Sequence, residues 1–290
     1  FKNFQPDIYF SLEEIIDLYK KNKSLFKNID LIRNEGSKMS NGQKLWKKAK
    51  NIIPGGNMLL SKRTEMFHPL KWPAYFDKAK GCNIWDLDGK KYIDMSLMGV
   101  GTNILGYANE EVDNYVKLNL DKSNMSTLNC PEEVWLAEKL VEMHPWSEMV
   151  RFARTGGEAN SIAVRIARAA SGKDSIAICG YHGWHDWYLA SNISNTENLK
   201  DHLLPGLETN GVPKELMNTT FPFRYNDLDG LKKIISENNI GVIKMEVIRN
   251  LKPSNNFLKE VKELATKNNI VLIFDECTSG FRENFGGIHL

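Results

Sequence analysis

From Gly42 onward, short apolar runs alternate with stretches whose apolar residues recur every three or four positions, the pattern of an α/β domain built on a mainly parallel sheet. Four runs read as strands: Met149 to Ala153, Ser175 to Cys179, Gly241 to Ile248 and Ile270 to Asp275. Ala159, Ile162, Ala163, Ile166, Ala167 and Ala170 trace a narrow stripe of small residues, suited to a helix lying close on a sheet. Phe257, Val261, Leu264 and Ala265 repeat that spacing ahead of the last strand. Residues 73–98 differ. Tyr75-Phe76, Asn83 to Asp86 and Lys91 to Met95 are short extended pieces separated by Gly81 and by the turn pair Asp88-Gly89, which predicts a small antiparallel hairpin region outside the main sheet.

Upstream, Leu12, Ile15, Ile16 and Tyr19 stand at helical spacing behind Ser11, and Glu14 three positions on completes the form of a capping box, so residues 11–27 are predicted to be helical. The polar stretch from Ile32 to Asn41 reads as a linker. Residues 1–41 are therefore expected to be a leader or the tail of an upstream module. The sequence opens on Phe1 and stops at Leu290 within a continuing segment, so it is expected to be an excerpt of a longer chain.

Composition narrows the partners. With 38 Lys and Arg against 36 Asp and Glu among 290 residues, a net charge of +2 gives no field that argues for nucleic acid or a membrane surface. Lys20, Lys21 and Lys23 follow Glu13, Glu14 and Asp17 on one predicted helix, the arrangement of a solvated face. Cys82, Cys130, Cys179 and Cys277 form no CxxC pair, which fits a reducing, cytoplasmic setting rather than a zinc site or a disulfide framework. No run approaches the roughly 18 apolar residues of a membrane helix, and the N-terminus lacks a signal-peptide layout.

In open α/β sheets ligands sit beyond the carboxyl ends of the strands, so the strand exits are where chemistry is sought. The first exit is Arg154-Thr155-Gly156-Gly157-Glu158, a hydroxyl and two glycines opening a helix, which reads either as a phosphate cradle or as a tight strand-to-helix connection. The second, Gly180-Tyr181-His182-Gly183-Trp184-His185-Asp186, admits an aromatic platform in which Tyr181 or His182 lies on a flat ring, a metal site of His182, His185 and Asp186, or a turn anchored by a buried Trp184. The last places Asp275-Glu276 behind the apolar run Ile270 to Phe274. A carboxylate there needs a cation opposite it, either a protein side chain or a protonated cofactor nitrogen. Glu246 adds a second carboxylate in the same layer. An anion cradle, a flat aromatic and a counter-charge for a ring nitrogen together match what pyridoxal phosphate (PLP) requires.

The ordered set Ile53-Pro54-Gly55-Gly56, Trp85 to Gly89 with Tyr92-Ile93-Asp94, Met149 to Phe152, Tyr181-His182-Gly183, and Phe274-Asp275-Glu276 with Gly280-Phe281-Arg282 resembles the class III PLP-dependent aminotransferases, in particular their glutamate-1-semialdehyde aminomutase-like branch. The resemblance runs from about Ile52 to the end. It implies a fold-type I PLP-dependent transferase: 42–105 as the N-terminal part of a small α+β domain with interface segments, and 106–290 as the PLP-binding large domain, incomplete at its C-terminal end. It also implies that Thr155, Gly156 and Gly157 hold the cofactor phosphate, that Tyr181 stacks on the ring with His182 beside it, and that Asp275 pairs with the ring nitrogen. Glu246 would lie near the ring hydroxyl, Cys277 would pack on the opposite ring face, and Arg63, next to Lys62, would receive a substrate carboxylate. The Schiff-base lysine is expected beyond Leu290, and a homodimer is expected.

Two features depart from the family pattern. Val247 stands where a proline usually follows the strand glutamate, and Thr155-Gly156-Gly157 replaces the usual Ser-Gly-Thr. The implied activity is transfer of an amino group between an amino donor and a carbonyl substrate. An aminomutase, a non-catalytic PLP-fold scaffold and a metal-dependent hydrolase stand as alternatives.

Overall fold

The structure is a computed structural model that describes residues 39–69, 71–95, 98–123, 125–200, 202, 208–248, 250–254 and 256–290. The helix predicted over 11–27 lies outside these residues. The chain divides into two compact units, residues 1–119 and 120–290.

In the first unit, helix α1 (Asn41–Ile52) starts at Ser40, whose side chain accepts from the Gln43 N–H while the Gln43 side chain accepts from the Ser40 N–H, a complete capping box. Trp46 and Ala49 are its buried residues, and the Trp46 indole donates to Glu65, which also pairs with Lys50 at 3.1 Å. Strands β1 (Phe76–Lys80), β2 (Asn83–Asp86) and β3 (Lys91–Ile93) form the expected antiparallel sheet, separate from the main one. The Asp88-Gly89 turn is fixed by Asp86, whose buried carboxylate accepts from the N–H groups of Asp88 and Lys90 and from the Tyr92 hydroxyl, while Gly89 takes φ +78°.

Helix α2 (Glu110–Leu120) spans the division between the units, and α3 (Pro131–Met143) opens the second with Pro131 in its first turn. Neither buries a residue. The parallel sheet follows, with α4 (Gly156–Ser171), β4 (Ser175–Cys179), the short α5 (Asp186–Leu189) and α6 (Ser191–Ser194), β5 (Thr220–Pro222), α7 (Leu228–Glu237), β6 (Ile240–Glu246), α8 (Phe257–Lys267) and β7 (Val271–Asp275). All three pairings are parallel, in the order β5-β4-β6-β7.

Alternation along the strands explains both cores. Ile176, Ile178, Val242 and Ile273 face Val164 and Ala167 of α4 and Trp187 to Leu189 of α5. Ala177, Cys179, Ile243, Met245 and Phe274 face Leu231 of α7 and Phe257, Val261 and Ala265 of α8. The connection leaving β4 thus packs on one face of the sheet, and the one leaving β6 on the other. Adjacent strands whose exits part to opposite faces open a crevice at their carboxyl ends, where ligands sit in such sheets.

One strand expectation fails. Met149 to Ala153 is not a strand, and Met149 is 87% exposed. The apolar residues of a strand are present there, but strand structure requires a ladder, and none forms at this segment. Conversely β5, only three residues ending in Pro222, is too short to be read from periodicity.

Ile243 is fully buried in the central strand. Ile243→Ala should therefore destabilise the second unit by about 2–5 kcal/mol, measured as a lower denaturation midpoint with an unchanged slope in urea.

Candidate active site

The start of α4 and the loops after β4 and β7 meet near Glu246, the last residue of β6. At the start of α4, Thr155 is the N-cap and its hydroxyl accepts from the Glu158 N–H at 3.2 Å. The remaining first-turn N–H groups, those of Gly156 and Gly157, have no intrahelical acceptor and point to the helix's positive end. Both glycines are closely approached, Gly157 more tightly than Gly156. A Cβ on Gly157 would lie 2.5 Å from the His185 ring, and one on Gly156 would lie 3.1 Å from the Cys277 sulfur. The loops after β4 and β7 therefore both close on this helix end.

Beyond β4, Gly180 at φ +110° lets the chain pass Glu246, whose Oε2 would be 2.4 Å from an added Cβ. The same oxygen accepts from the Tyr181 N–H at 3.0 Å, while Oε1 accepts from the Thr278 hydroxyl at 3.3 Å. Glu246 thus ties the exits of β4 and β7 together. Tyr181 is half-buried, edge-on to Tyr188. His182 is placed differently from the expected stacking face: it is fully buried, with its Nδ1 2.9 Å from Asp275 and its ring against Trp187. Trp184 does not anchor the turn either. It is 62% exposed and stacks on His185, whereas Trp187 is the buried tryptophan, donating to Ser161.

At the end of β7, Asp275 is the electrostatic centre. Its Oδ2 accepts from His182 and from the ammonium of Lys244 at 3.1 Å, and its Oδ1 accepts from the Cys277 N–H at 3.0 Å. Burial opposes its ionisation, but the His182 hydrogen bond and the Lys244 charge outweigh that and hold the carboxyl well below the usual carboxylate range. With Asp275 ionised, Nδ1 of His182 carries the proton and donates. Burial nonetheless dominates the imidazole and lowers its pKa to about 4, so the ring is neutral at physiological pH. Lys244 is likewise lowered by burial, opposed by Asp275. Beside this cluster the Cys277 thiol is pushed up, first by partial burial and then by the Asp275 charge.

The segment after Asp275 is held by Glu276, which accepts from the N–H groups of Ile288 and His289 and from the His289 ring. Trp146 donates to the other ring nitrogen of His289 at 3.0 Å, which fixes the tautomer that donates to Glu276. Val247 is buried, and its N–H reaches the Asp275 carbonyl at 3.3 Å while its own carbonyl accepts from the Tyr225 hydroxyl.

Arg63 lies in the first unit, folded against the Gly55 turn with Lys62 in a short 3-10 helix beside it. Of the residues weighed as metal ligands, His182 bonds to Asp275 and His185 stacks on Trp184; among the described residues no group of three or more His, Cys, Asp or Glu side chains is placed to hold a metal ion. Lys244 is the residue that sequence reasoning missed. The available signal was a lysine inside an apolar run, two positions ahead of Glu246.

The parallel sheet with helices on both faces has the fold of the fold-type I PLP-dependent transferases, and comparisons with known proteins identify the family. The sequence model of the family "Aminotransferase class-III" matches residues 68–286. The chain belongs to this family. It is 35% identical over 265 residues to 3-aminobutyryl-CoA aminotransferase of Cloacimonas acidaminovorans, covering 87% of this chain and 59% of that protein. It is 33% identical to glutamate-1-semialdehyde 2,1-aminomutase of Archaeoglobus fulgidus, covering 86% and 59%. Among solved structures it resembles an omega-transaminase from Sphaerobacter thermophilus, with a TM-score of 0.71 and 26% identity over 89% of this chain and 58% of that one. The chain spans a little under three fifths of the length of these relatives.

The imidazole of His182 makes acid stability diagnostic. Its folded-state pKa lies below the ordinary 6.5, so between 6.5 and about 4 the unfolded chain binds the proton more readily. Stability should fall as pH is lowered from 6.5 towards 4, and His182→Asn should flatten that part of a urea-midpoint profile.

Proposed function

We propose that this chain forms the cofactor-binding part of a PLP-dependent aminotransferase that moves an amino group from an amino donor to a carbonyl substrate. The observation that carries the reading is Asp275: a buried carboxylate kept ionised at the mouth of the parallel sheet, facing the crevice onto which α4 directs its N-terminus. A carboxylate offers about four acceptor sites; the described donors fill three of them. Room for one further donor, such as a ring N–H, fits the cofactor. So does His185, whose buried Nδ1 lies beside Gly157 and finds no hydrogen-bond partner among the described residues, leaving it suited to a phosphate oxygen.

On this reading Thr155, Gly156 and Gly157 hold the phosphate through N–H groups and the helix end. Tyr181 covers the ring, Cys277 packs on its other face, and Glu246 lies toward the ring hydroxyl while fixing the Tyr181 backbone. When bound, the cofactor supplies an electron sink for the carbon that loses its proton. His182 orients Asp275 and excludes water from it. Arg63 receives a substrate carboxylate.

The enzyme is proposed to be cytoplasmic and homodimeric. Free thiols support the first: Cys82, Cys130, Cys179 and Cys277 are all unpaired by disulfides. Among the described residues no helix is long and apolar enough to cross a membrane. Exposed apolar side chains on α2 (Val112, Tyr115, Val116, Leu118) and α3 (Val134, Trp135, Leu136) support the second.

An aminomutase is the second reading, favoured by relatives of that name at nearly the same identity. Isotope crossover separates the two. The full-length protein, loaded with PLP, is given a nitrogen-15 amino donor and an unlabelled carbonyl acceptor. Label appearing in a different molecule supports transfer between substrates, and label retained within one carbon skeleton supports the mutase. No PLP-dependent movement of label with any donor would reject both. Gly157→Ala, which drives a methyl group into His185, should weaken PLP binding about tenfold or more through loss of a charge-assisted hydrogen bond, read by fluorescence titration.

A further inference from the structure

Lys244 sits on the third strand of four, paired in register with Ile178 on one side and Ile273 on the other, and its side chain is 1% exposed. A lysine so placed has an expensive position. Packed apolar residues commonly serve a fold as well as a buried ion pair does, and a methionine would fill much the same volume. What the ammonium does that a methionine could not is meet Oδ2 of Asp275 at 3.1 Å, on the oxygen that also receives His182. The titratable and charged groups around it are Asp275, His182, Glu246 and Cys277.

We propose that Lys244 is a positioning residue that shares the Asp275 carboxylate with the ring nitrogen of the bound cofactor, keeping that nitrogen less basic than Asp275 alone would make it. The inference rests on the cofactor assignment above and goes beyond it. A carboxylate raises the basicity of a nitrogen it faces because its negative charge favours the protonated form. Here that charge is already offset by an ammonium within hydrogen-bonding distance, and His182, being neutral, adds none. A proton arriving on the ring nitrogen meets a carboxylate that attracts it and a lysine cation that opposes it. The site therefore provides a milder electron sink, which suits a proton moved promptly between neighbouring atoms over chemistry that needs a long-lived carbanion.

The test compares PLP with its deaza analogue, in which C–H replaces the ring nitrogen, on the full-length wild type and on Lys244→Met and Lys244→Arg. The analogue feels the shape of the pocket but not the basicity of the nitrogen. Lys244→Met should raise the preference for PLP over the analogue about tenfold or more, the effect of removing one adjacent charge, whereas Lys244→Arg should keep the wild-type preference. An unchanged preference in Lys244→Met, with both ligands weakened alike, would show a merely structural lysine and sink this inference alone. If Lys244→Met does not fold, the wild type decides through the nitrogen-15 resonance of ring-labelled PLP. A nitrogen that is neutral or titrates within the pH range where the protein stays folded supports the proposal; one protonated throughout that range overturns it. Failure of the wild type to bind PLP at all would remove the cofactor assignment and this inference with it.

Discussion

A carboxylate taken out of water is costly unless its charge and its lone pairs are met, and the second unit is organised around meeting those of one residue. Asp275 ends β7 in a sheet packed by helices on both faces. Its partners come from three places: Lys244 from the neighbouring strand β6, His182 from the loop after β4, and the Cys277 N–H from its own chain just beyond. Each arrives only if the parallel register is kept. A slip of one residue between β6 and β7 would turn Lys244 to the opposite face, towards Leu231 and Phe257, and leave both charges buried alone. Register and charge compensation therefore enforce one another.

Glu246 extends the same logic to the loops. In register with Asp275, it uses both carboxylate oxygens to gather the backbone at Tyr181 and the Thr278 hydroxyl. The Gly180 conformation, which a side chain would strain, is what allows the loop to pass so closely. The loops after β4 and β7 are thus both held to the last residue of one strand of the sheet.

Much of this was legible in the sequence. β4, β6 and β7 were readable because central parallel strands are continuous apolar runs, and α4 and α8 because their apolar stripes face the sheet. Tyr181, Glu246 and Asp275 do lie at strand ends, whereas Thr155, Gly156 and Gly157 open α4 without a strand before them. Pairing was not legible. Residues 149–153 have the composition of a strand but no ladder, and nothing in the spacing of Lys244 and Asp275, 31 positions apart, announces that they meet. Burial within the loop after β4 was equally hidden: Trp184 and Trp187 are alike in sequence, yet only the second lies on the face covered by α5. That His182 is buried against Asp275 was hidden as well: it follows from the sharp turns at Gly180 and Gly183, which carry the ring inward.

The two departures from the family pattern have local physical explanations in this fold. A proline after the strand glutamate would have no N–H to donate; Val247 has one, and it continues the β6–β7 ladder by one bond to the Asp275 carbonyl, tightening the backbone directly behind the carboxylate. At the start of α4 the third position of the cradle is Gly157, and the space a side chain would occupy there is taken by His185. The hydroxyl that a threonine would offer is thus exchanged for an imidazole arriving from another loop. Val247 thus joins the exits of β6 and β7, and the approach of His185 to Gly157 joins the loop after β4 to the start of α4.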